Sequence, residues 1–460
     1  MGCEVRALIT QTDFINVKYI VLMIIILTLA VLTGCGAAGV NVSMDENELK
    51  TVDQPIDESE LKTVDQPMDK NELKMVDQSM DESEQDSVGQ DNNDDSEENV
   101  DTGIEKTQID IYIEDKINSM TLEEKVAQIF IVFPESLEPG ISNVVSVDPV
   151  MKEKLEQAPV GGIIYMNENI KNPEQVKQMV EETQQCSLDN IGLPLFQCVD
   201  EEGGRIARIA NNKMFGVDNV GSMTDIGAKG DVDYAYVAGA SMGAYLSELG
   251  FNLDFAPVAD VQGDVYNSVL YRRTFSADPE CVSGMANALA KGLQSKGVMS
   301  VYKHFPGHGS TNGDPHKGYA FTDKTLDDLK KSDLIPFEKG IEEDVPMIMV
   351  GHISLPNIIE DGTPASLSQV IITDLLRKEM EYDGVIITDA MNMGAIKDIY
   401  EADDAAVLAV KAGVDMVLMP KDFDKAYNGI LKAVDDGELT ESRIDESVRR
   451  ILKIKLDLGY

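Results

Sequence analysis

Eight short apolar runs, separated by helical stretches, constrain the fold of this chain more than any other feature. They lie between positions 129 and 420 and read IFIVF, GGIIYM, LFQCVD, FNLDFAPVAD, VMSVYKHF, MIMVGHI, GVIITDA and MVLMP. Continuous apolar strands that alternate with helices indicate a parallel sheet covered on both faces. Eight repeats predict an α/β fold, a (β/α)8 barrel of the TIM type over residues 109–460. A doubly wound sheet is the alternative, although no G-x-G-x-x-G motif follows the first run.

Residues 1–34 have the pattern of an export signal. The apolar run YIVLMIIILTLAVL follows Lys18 and leads into LTGC, which ends at Cys35. A small-residue site after a short apolar core is typical of a cleaved signal. The pattern resembles a bacterial lipobox, which predicts a lipid on Cys35 and an extracytoplasmic lipoprotein anchored to the cell membrane. An uncleaved membrane anchor is the alternative, since the run approaches the length that spans a bilayer.

Residues 35–108 form an acidic segment that contains a repeat. MDENELKTVDQP, IDESELKTVDQP and MDKNELKMVDQS follow one another from Met44 to Ser79. Such a segment buries too little apolar surface to offset its ordering entropy, so it is predicted to be a disordered tether. An adhesive or partner-binding repeat is the alternative. The net charge of the whole chain, -43, argues against a nucleic-acid partner, because phosphate binding relies on clustered Lys and Arg.

Polar side chains follow several of the predicted strands at the point where each strand ends. They are Asp200, Asp260, Lys303, His304, His352 and Asp389. In a barrel of this kind the carboxyl ends of the strands converge on one face, where active sites lie. Donors and acceptors gathered in this way suit a ligand rich in hydroxyl groups, which indicates a carbohydrate. Before the first strand, Thr121 and Glu124 predict a capping box that begins a helix.

Three of the four histidines lie in one glycine-rich segment, KHFPGHGSTNGDPH, from Lys303 to His316. The segment lacks the H-E-x-x-H pattern of a zinc hydrolase, so a metal hydrolase is the less favoured interpretation. The cysteines lack C-x-x-C spacing, which gives no indication of a zinc site or a disulfide framework. We expect no metal and no cofactor.

Six motifs occur together and in a fixed order: VDEEGGRIAR, NLDFAPVADV, RRTFSADP, KHFPGHGSTNGDPH, PASLS and GVIITDAMNMGAI. In this order they resemble glycoside hydrolase family 3, and within it the bacterial β-N-acetylhexosaminidases. The resemblance implies that Asp389 is the nucleophile and that His316 is the general acid/base, with Asp314 as its partner. It implies further sugar contacts at Asp200, Arg208, Arg273, Lys303 and His304.

The resemblance implies a retaining exo-glycosidase that removes terminal β-linked N-acetylglucosamine from cell-wall glycans. The partner would then be an N-acetylglucosamine-containing oligosaccharide or a muropeptide. Pro315 departs from the small serine that the family usually has between the two dyad residues, and it restricts the conformation of Asp314. We also expect the site to be completed within the barrel, without the second α/β domain of many relatives. A family 3 β-glucosidase or xylosidase, and a non-catalytic sugar-binding lipoprotein, are the alternatives.

Overall fold

A computed structural model describes residues 98–263, 267, 269–312 and 320–458 of this protein. The helices are α1 Glu98–Ser119, α2 Leu122–Gln128, α3 Pro149–Gln157, α4 Pro173–Ile191, α5 Met223–Gly227, α6 Val232–Glu248, α7 Pro279–Gln294, α8 Leu326–Lys330, α9 Ile335–Glu342, α10 Gly394–Lys397, α11 Ala402–Ala412, α12 Phe423–Asp435 and α13 Glu441–Leu456. A π-helix spans Val370–Glu379. The predicted signal, Cys35 and the repeats lie outside the described residues.

The strands are short and nearly all buried. They are β1 Phe130–Val132, β2 Gly162–Ile164, β3 Phe196–Val199, β4 Glu201–Gly203, β5 Ile206–Ala207, β6 Leu253–Asp254, β7 Met299–Phe305, β8 Ala320–Phe321, β9 Met347–Val350, β10 Ile353–Ser354, β11 Val385–Thr388 and β12 Val417–Leu418. Eight of them form one parallel sheet in the order β12-β1-β2-β3-β6-β7-β9-β11. Strand β12 pairs with β1 at one end of this order, and an isolated parallel bridge between Ile387 and Met416 joins β11 to the residue before β12. The sheet therefore closes into a ring, and the predicted barrel is confirmed.

The eight apolar runs of the sequence contain the eight barrel strands. Side chains alternate between the barrel interior and the helices along each strand. On β3, the Gln197 amide nitrogen donates to Thr183 and Gln184 of helix α4, both at 3.1 Å, so Gln197 faces the helices. Phe196 and Cys198 therefore face the interior, and Asp200 continues their side of the strand. We call the carboxyl ends of the barrel strands, where Asp200 lies, the mouth.

The first helix begins earlier than the sequence analysis placed the start of the domain. Helix α1 starts at Glu98, whereas the predicted boundary was residue 109. Ile109 is exposed, but Ile113 and Ile117 are each 2% exposed and belong to the core. Helix α1 packs against α13. Helical structure thus precedes the predicted boundary, while burial against the barrel begins shortly after it.

Helix α2 begins where the sequence predicts. The Glu124 backbone N–H donates to the Thr121 hydroxyl at 3.2 Å, and the Thr121 N–H donates to the Glu124 carboxylate at 2.8 Å. These two bonds satisfy donors that the first turn of a helix leaves without intrahelical partners. The capping box is confirmed. Within the described ranges, the helices are too short or too polar for any of them to cross a bilayer.

Candidate active site

Asp389 follows strand β11 directly and is held by main-chain contacts at the mouth. Its N–H donates to the Val350 carbonyl at 2.9 Å, and its Oδ1 accepts from the Ala390 N–H at 2.7 Å. Burial alone would raise the pKa of the carboxyl, but the nearby imidazoles of His304 and His352 more than offset this effect. The pKa of Asp389 lies below its usual value, so the side chain is an anion at neutral pH.

Asp389 lines a cleft of about 310 Å³ that has both polar and apolar lining residues. The polar ones include Asp200, Glu202, Arg208, Arg273, Lys303, His304 and His308. The apolar ones include Ile164, Met166, Met349, Met393, Leu418 and Met419. All five residues that the resemblance implied as sugar contacts therefore lie in one cleft with Asp389, while their roles remain predictions.

Asp200 links two basic side chains across the cleft. Its Oδ1 lies 3.2 Å from the Lys303 ammonium, and its Oδ2 lies 3.5 Å from a terminal nitrogen of Arg208. The Arg208 Nε is buried and has no hydrogen-bond partner among the described residues. A buried donor that lacks a partner costs free energy unless a ligand or water satisfies it. Arg208 can therefore donate to a hydroxyl group in the cleft.

Glu202 is a residue of the cleft that the sequence analysis did not single out. It is 2% exposed, and its two oxygens accept from Arg273 Nε at 2.7 Å and Arg273 Nη2 at 2.8 Å. Its Oε1 also lies 2.5 Å from the Lys303 ammonium. Burial alone would raise the pKa of Glu202, but the charges of Arg273 and Lys303 hold it far below its usual range. The feature of the sequence that could have identified Glu202 is its place in the EGGR motif, two residues after Asp200.

Glu201 and Glu202 are neighbours on β4 whose side chains have separate partners. The Glu201 carboxylate accepts from the N–H groups of Ile209 and Ala210 at 2.8 and 2.9 Å. It also accepts from the Tyr245 hydroxyl at 2.8 Å. Burial raises the pKa of Glu201 to about 7 despite these donors. Glu201 supports the turn that carries Arg208 and does not line the cleft.

His304 is fixed by a buried carboxylate. Its Nδ1 lies 2.7 Å from Asp260 Oδ2, and Asp260 Oδ1 accepts from the His308 N–H at 2.6 Å. Burial would raise the pKa of Asp260, but His304 outweighs that effect and the pKa is lowered. The ionised Asp260 therefore orients His304 and leaves its Nε2 for the cleft. The sequence had placed Asp260 and His304 at two neighbouring strand ends.

His308 and His352 complete the surroundings of the nucleophile candidate. Burial, together with His304, lowers the pKa of His308 to about 4, so this imidazole is neutral at pH 7. The His352 Nε2 lies 3.0 Å from the carbonyl oxygen of Ala390, the residue after Asp389. His352 therefore contacts the main chain next to Asp389.

The predicted acid/base dyad, Asp314 and His316, lies outside the described residues, and so does Pro315. Its assignment therefore stays a prediction. Over the described ranges, the His, Cys, Asp and Glu side chains form no group of three or more that could hold a metal ion.

Comparison with known proteins gives one consistent family. Residues 121–454 match the model described as the glycosyl hydrolase family 3 N terminal domain. Beta-hexosaminidase A of Pseudoalteromonas piscicida is 34% identical over 338 residues, which cover 68% of this chain and 56% of that protein. A beta-hexosaminidase of Chromobacterium violaceum is 34% identical over 274 residues, covering 58% of this chain and 74% of that protein.

A solved structure shows the same likeness. The structure of a glycoside hydrolase family 3 beta-N-acetylglucosaminidase from Paenibacillus sp. str. FPU-7 matches with a TM-score of 0.70 and 33% sequence identity. The match covers 74% of this chain and 63% of that chain. This chain thus spans less than two thirds of the Paenibacillus structure and of the Pseudoalteromonas protein.

Proposed function

Because this chain belongs to glycosyl hydrolase family 3, we propose that it is a retaining exo-glycosidase of the β-N-acetylhexosaminidase type. The observation that carries the proposal is the ionised Asp389 carboxylate at the mouth, in a cleft with Asp200, Lys303 and His304. The names of the related beta-hexosaminidases support the choice of sugar. The substrate would be terminal β-linked N-acetylglucosamine on cell-wall-derived glycans such as muropeptides, which would make the enzyme part of peptidoglycan turnover.

The proposed reaction proceeds in two steps. Asp389 attacks the anomeric carbon, and the bond to the leaving oxygen breaks as that oxygen receives a proton from His316. Water then attacks the glycosyl-enzyme ester and gives its proton to His316, which releases Asp389. Two inversions at one carbon give overall retention of configuration. Asp314 would orient His316 and support its protonated form.

The choice of sugar is tested with two aryl substrates. We expect an aryl β-N-acetylglucosaminide to be hydrolysed with a much higher kcat/KM than the matching aryl β-glucoside. A preference for the glucoside would assign the chain to the β-glucosidase type of the family. Saturable sugar binding with no turnover of either substrate would instead support a non-catalytic sugar-binding protein.

The role of His316 is tested by the basicity of the leaving group. His316→Ala removes the proton donor, so an aryl glycoside with an acidic phenol should lose less activity than a natural disaccharide. Azide should partly rescue this variant and give a β-glycosyl azide, since the anion needs no base to attack the intermediate. Equal losses on both substrates without azide product would remove His316 from the acid/base role.

We propose as well that the protein is held at the outer side of the cell membrane through a lipid on Cys35. The support is the LTGC sequence after an apolar run, and the acidic repeats that follow would act as a spacer. Cys35→Ala should release the protein from the membrane fraction. Retention of this variant in the membrane would favour an uncleaved anchor.

A further inference from the structure

Glu202 contacts two of the basic groups of the cleft at once, although it was not among the residues expected to touch sugar. It accepts from Arg273 with both oxygens and from the Lys303 ammonium with Oε1. Its side chain is 2% exposed, so these contacts exclude water. We propose that Glu202 is a positioning residue that orients Lys303 and Arg273 toward the hydroxyl groups of the sugar. This inference rests on the proposed function.

The orientation follows from counting hydrogens on Lys303. An ammonium group has three N–H donors in a tetrahedral arrangement. Glu202 Oε1 lies 2.5 Å and Asp200 Oδ1 3.2 Å from the nitrogen, so each carboxylate can take one of these donors. The third donor of Lys303 is then fixed in direction, and the side chain lines the cleft. It can donate to a sugar hydroxyl without first rearranging.

Arg273 is oriented in the same way. Its Nε and Nη2 donate to Glu202, and its Nη1 donates to the Val269 carbonyl oxygen at 3.1 Å. A two-bond contact between a guanidinium and a carboxylate fixes the plane of the guanidinium. Each terminal nitrogen carries a second hydrogen beyond these contacts. Arg273 therefore offers donors to the cleft from a plane that Glu202 sets.

The charge of Glu202 is needed as well as its shape. Burial opposes the charged form of Lys303, but Glu202 and Asp200 more than offset this effect and raise its pKa above the usual value. The charged or titratable groups near Lys303 are Asp200, Glu202, Arg273, Asp254, His304 and Asp389. Without the carboxylate at position 202, Arg273 would repel the ammonium. Lys303 would then lose its proton at a lower pH and present a lone pair where a donor is required.

Two variants separate the charge of Glu202 from its geometry. Glu202→Gln keeps the length of the side chain and removes its charge. It should lower kcat/KM by roughly 100-fold, since Lys303 and Arg273 lose the anionic partner that orients their donors toward the substrate. It should also move the alkaline fall of kcat/KM to a lower pH. Glu202→Asp keeps the charge but is too short for all three contacts, so kcat/KM should fall while the alkaline limb stays near its original pH.

Glu201→Gln is the matched control, because Glu201 is an equally buried carboxyl on the same strand with its partners outside the cleft. In this variant the fall of kcat/KM at alkaline pH should occur at the same pH as in the unchanged protein. A merely structural role for Glu202 would lower the melting temperature of Glu202→Gln and leave the alkaline limb of its folded fraction unmoved. That result would overturn the proposal.

The proposed activity and the role of Glu202 can fail separately. If the unchanged protein hydrolyses no aryl β-N-acetylglucosaminide, the proposed activity is wrong. The titration of Lys303, followed by NMR through the ¹³C resonance of its Cε, still tests Glu202 in the full-length protein. The pKa of Lys303 should fall in Glu202→Gln and stay high in Glu202→Asp. An equal pKa in all three proteins would overturn the inference whatever the activity.

Discussion

Two buried lysines lie at opposite ends of the barrel and have opposite electrostatic surroundings. Lys303, 3% exposed, lies at the mouth between the carboxylates of Asp200 and Glu202. Lys455, 2% exposed, comes from helix α13 and donates to the Gln128 side-chain oxygen at 2.8 Å. Its ammonium lies 5.2 Å from the centre of the Phe196 ring. Phe196 begins β3 and Asp200 follows its end, so this strand joins the two environments.

We call the second environment, formed by Gln128, Phe196 and Lys455, the floor of the barrel. Within the described residues, no carboxylate forms an ion pair with Lys455. Burial therefore lowers the pKa of Lys455 to about 7, whereas carboxylates raise the pKa of Lys303. Burial by itself thus lowers the pKa of a lysine, and nearby carboxylates can reverse that effect. Lys303 keeps its charge at the mouth because the carboxylates of Asp200 and Glu202 lie beside it.

The largest effect should come from removing the nucleophile candidate at the mouth. Asp389→Ala removes the group proposed to attack the anomeric carbon, so kcat should fall by roughly 10⁴-fold on every substrate. The melting temperature should change less than the activity, because among the described residues the carboxylate accepts a hydrogen bond only from the Ala390 N–H. Steady-state kinetics and thermal unfolding of the same sample check both points. Retained turnover would remove Asp389 from the chemistry.

Replacing the paired lysine should cost both stability and activity. Lys303→Met leaves the buried Glu202 and the half-buried Asp200 with one cation fewer beside them. Breaking a buried ion pair in this way costs roughly 3–5 kcal/mol. The free energy of unfolding should fall by about this amount, and kcat/KM should fall at least 100-fold. An unchanged melting temperature would show that the mouth does not depend on the pairing of its charges.

A lysine-to-methionine substitution at the floor should raise the stability of the fold, whereas the one at the mouth should lower it. A lysine whose pKa is about 7 when folded and about 10.4 when unfolded makes stability rise with pH between these values. Near pH 6 the ammonium is charged in both states, and its burial destabilises the fold. Lys455→Met should therefore raise the melting temperature at pH 6, with a smaller gain or none at pH 9.5. A lower melting temperature at both values would contradict the comparison.

A smaller loss of stability is expected from a change at the start of helix α2. This helix ends at Gln128 and so supports the floor. Thr121→Ala removes the hydroxyl that accepts from the Glu124 N–H. Loss of an N-cap side chain typically costs about 1 kcal/mol. Denaturant unfolding should show that loss, while kcat and KM stay unchanged. Thr121→Ser is the control that keeps the hydroxyl.

The smallest effect is expected from removing the chain before helix α1. A protein that begins at residue 98 keeps every described contact of mouth and floor. It should keep its turnover of aryl substrates and its melting temperature in solution. A folded but inactive truncated protein would show that the acidic segment contributes to the chemistry.

The sequence predicted the barrel because its strands are apolar on both faces, and such runs stand out between helices. It also predicted that Asp200, His304 and Asp389 lie close together, since the carboxyl ends of parallel strands meet at one mouth. The start of α2 was predictable because a capping box depends on residues only three apart. These features are set by local sequence or by the topology of the sheet.

Glu202 and Lys455 could not be predicted in the same way. Glu201 and Glu202 are identical neighbours, and the register of β4 alone decides which of them lines the cleft. Lys455 lies in the segment ILKIKL, where a lysine would be expected to reach solvent. Its burial depends on how α13 packs beneath the barrel, which is a tertiary contact with Gln128 far away in sequence.

The pairing of β12 with β1, and the bridge from β11 to the residue before β12, have a consequence for the protein at high concentration. Strands at the rim of an open sheet offer unpaired N–H and C=O groups to any neighbouring chain, and this is a common route to aggregation. A closed ring has no such rim, so its eight strands offer no template to another molecule. Copies of the protein at high concentration would then meet through elements other than the barrel strands.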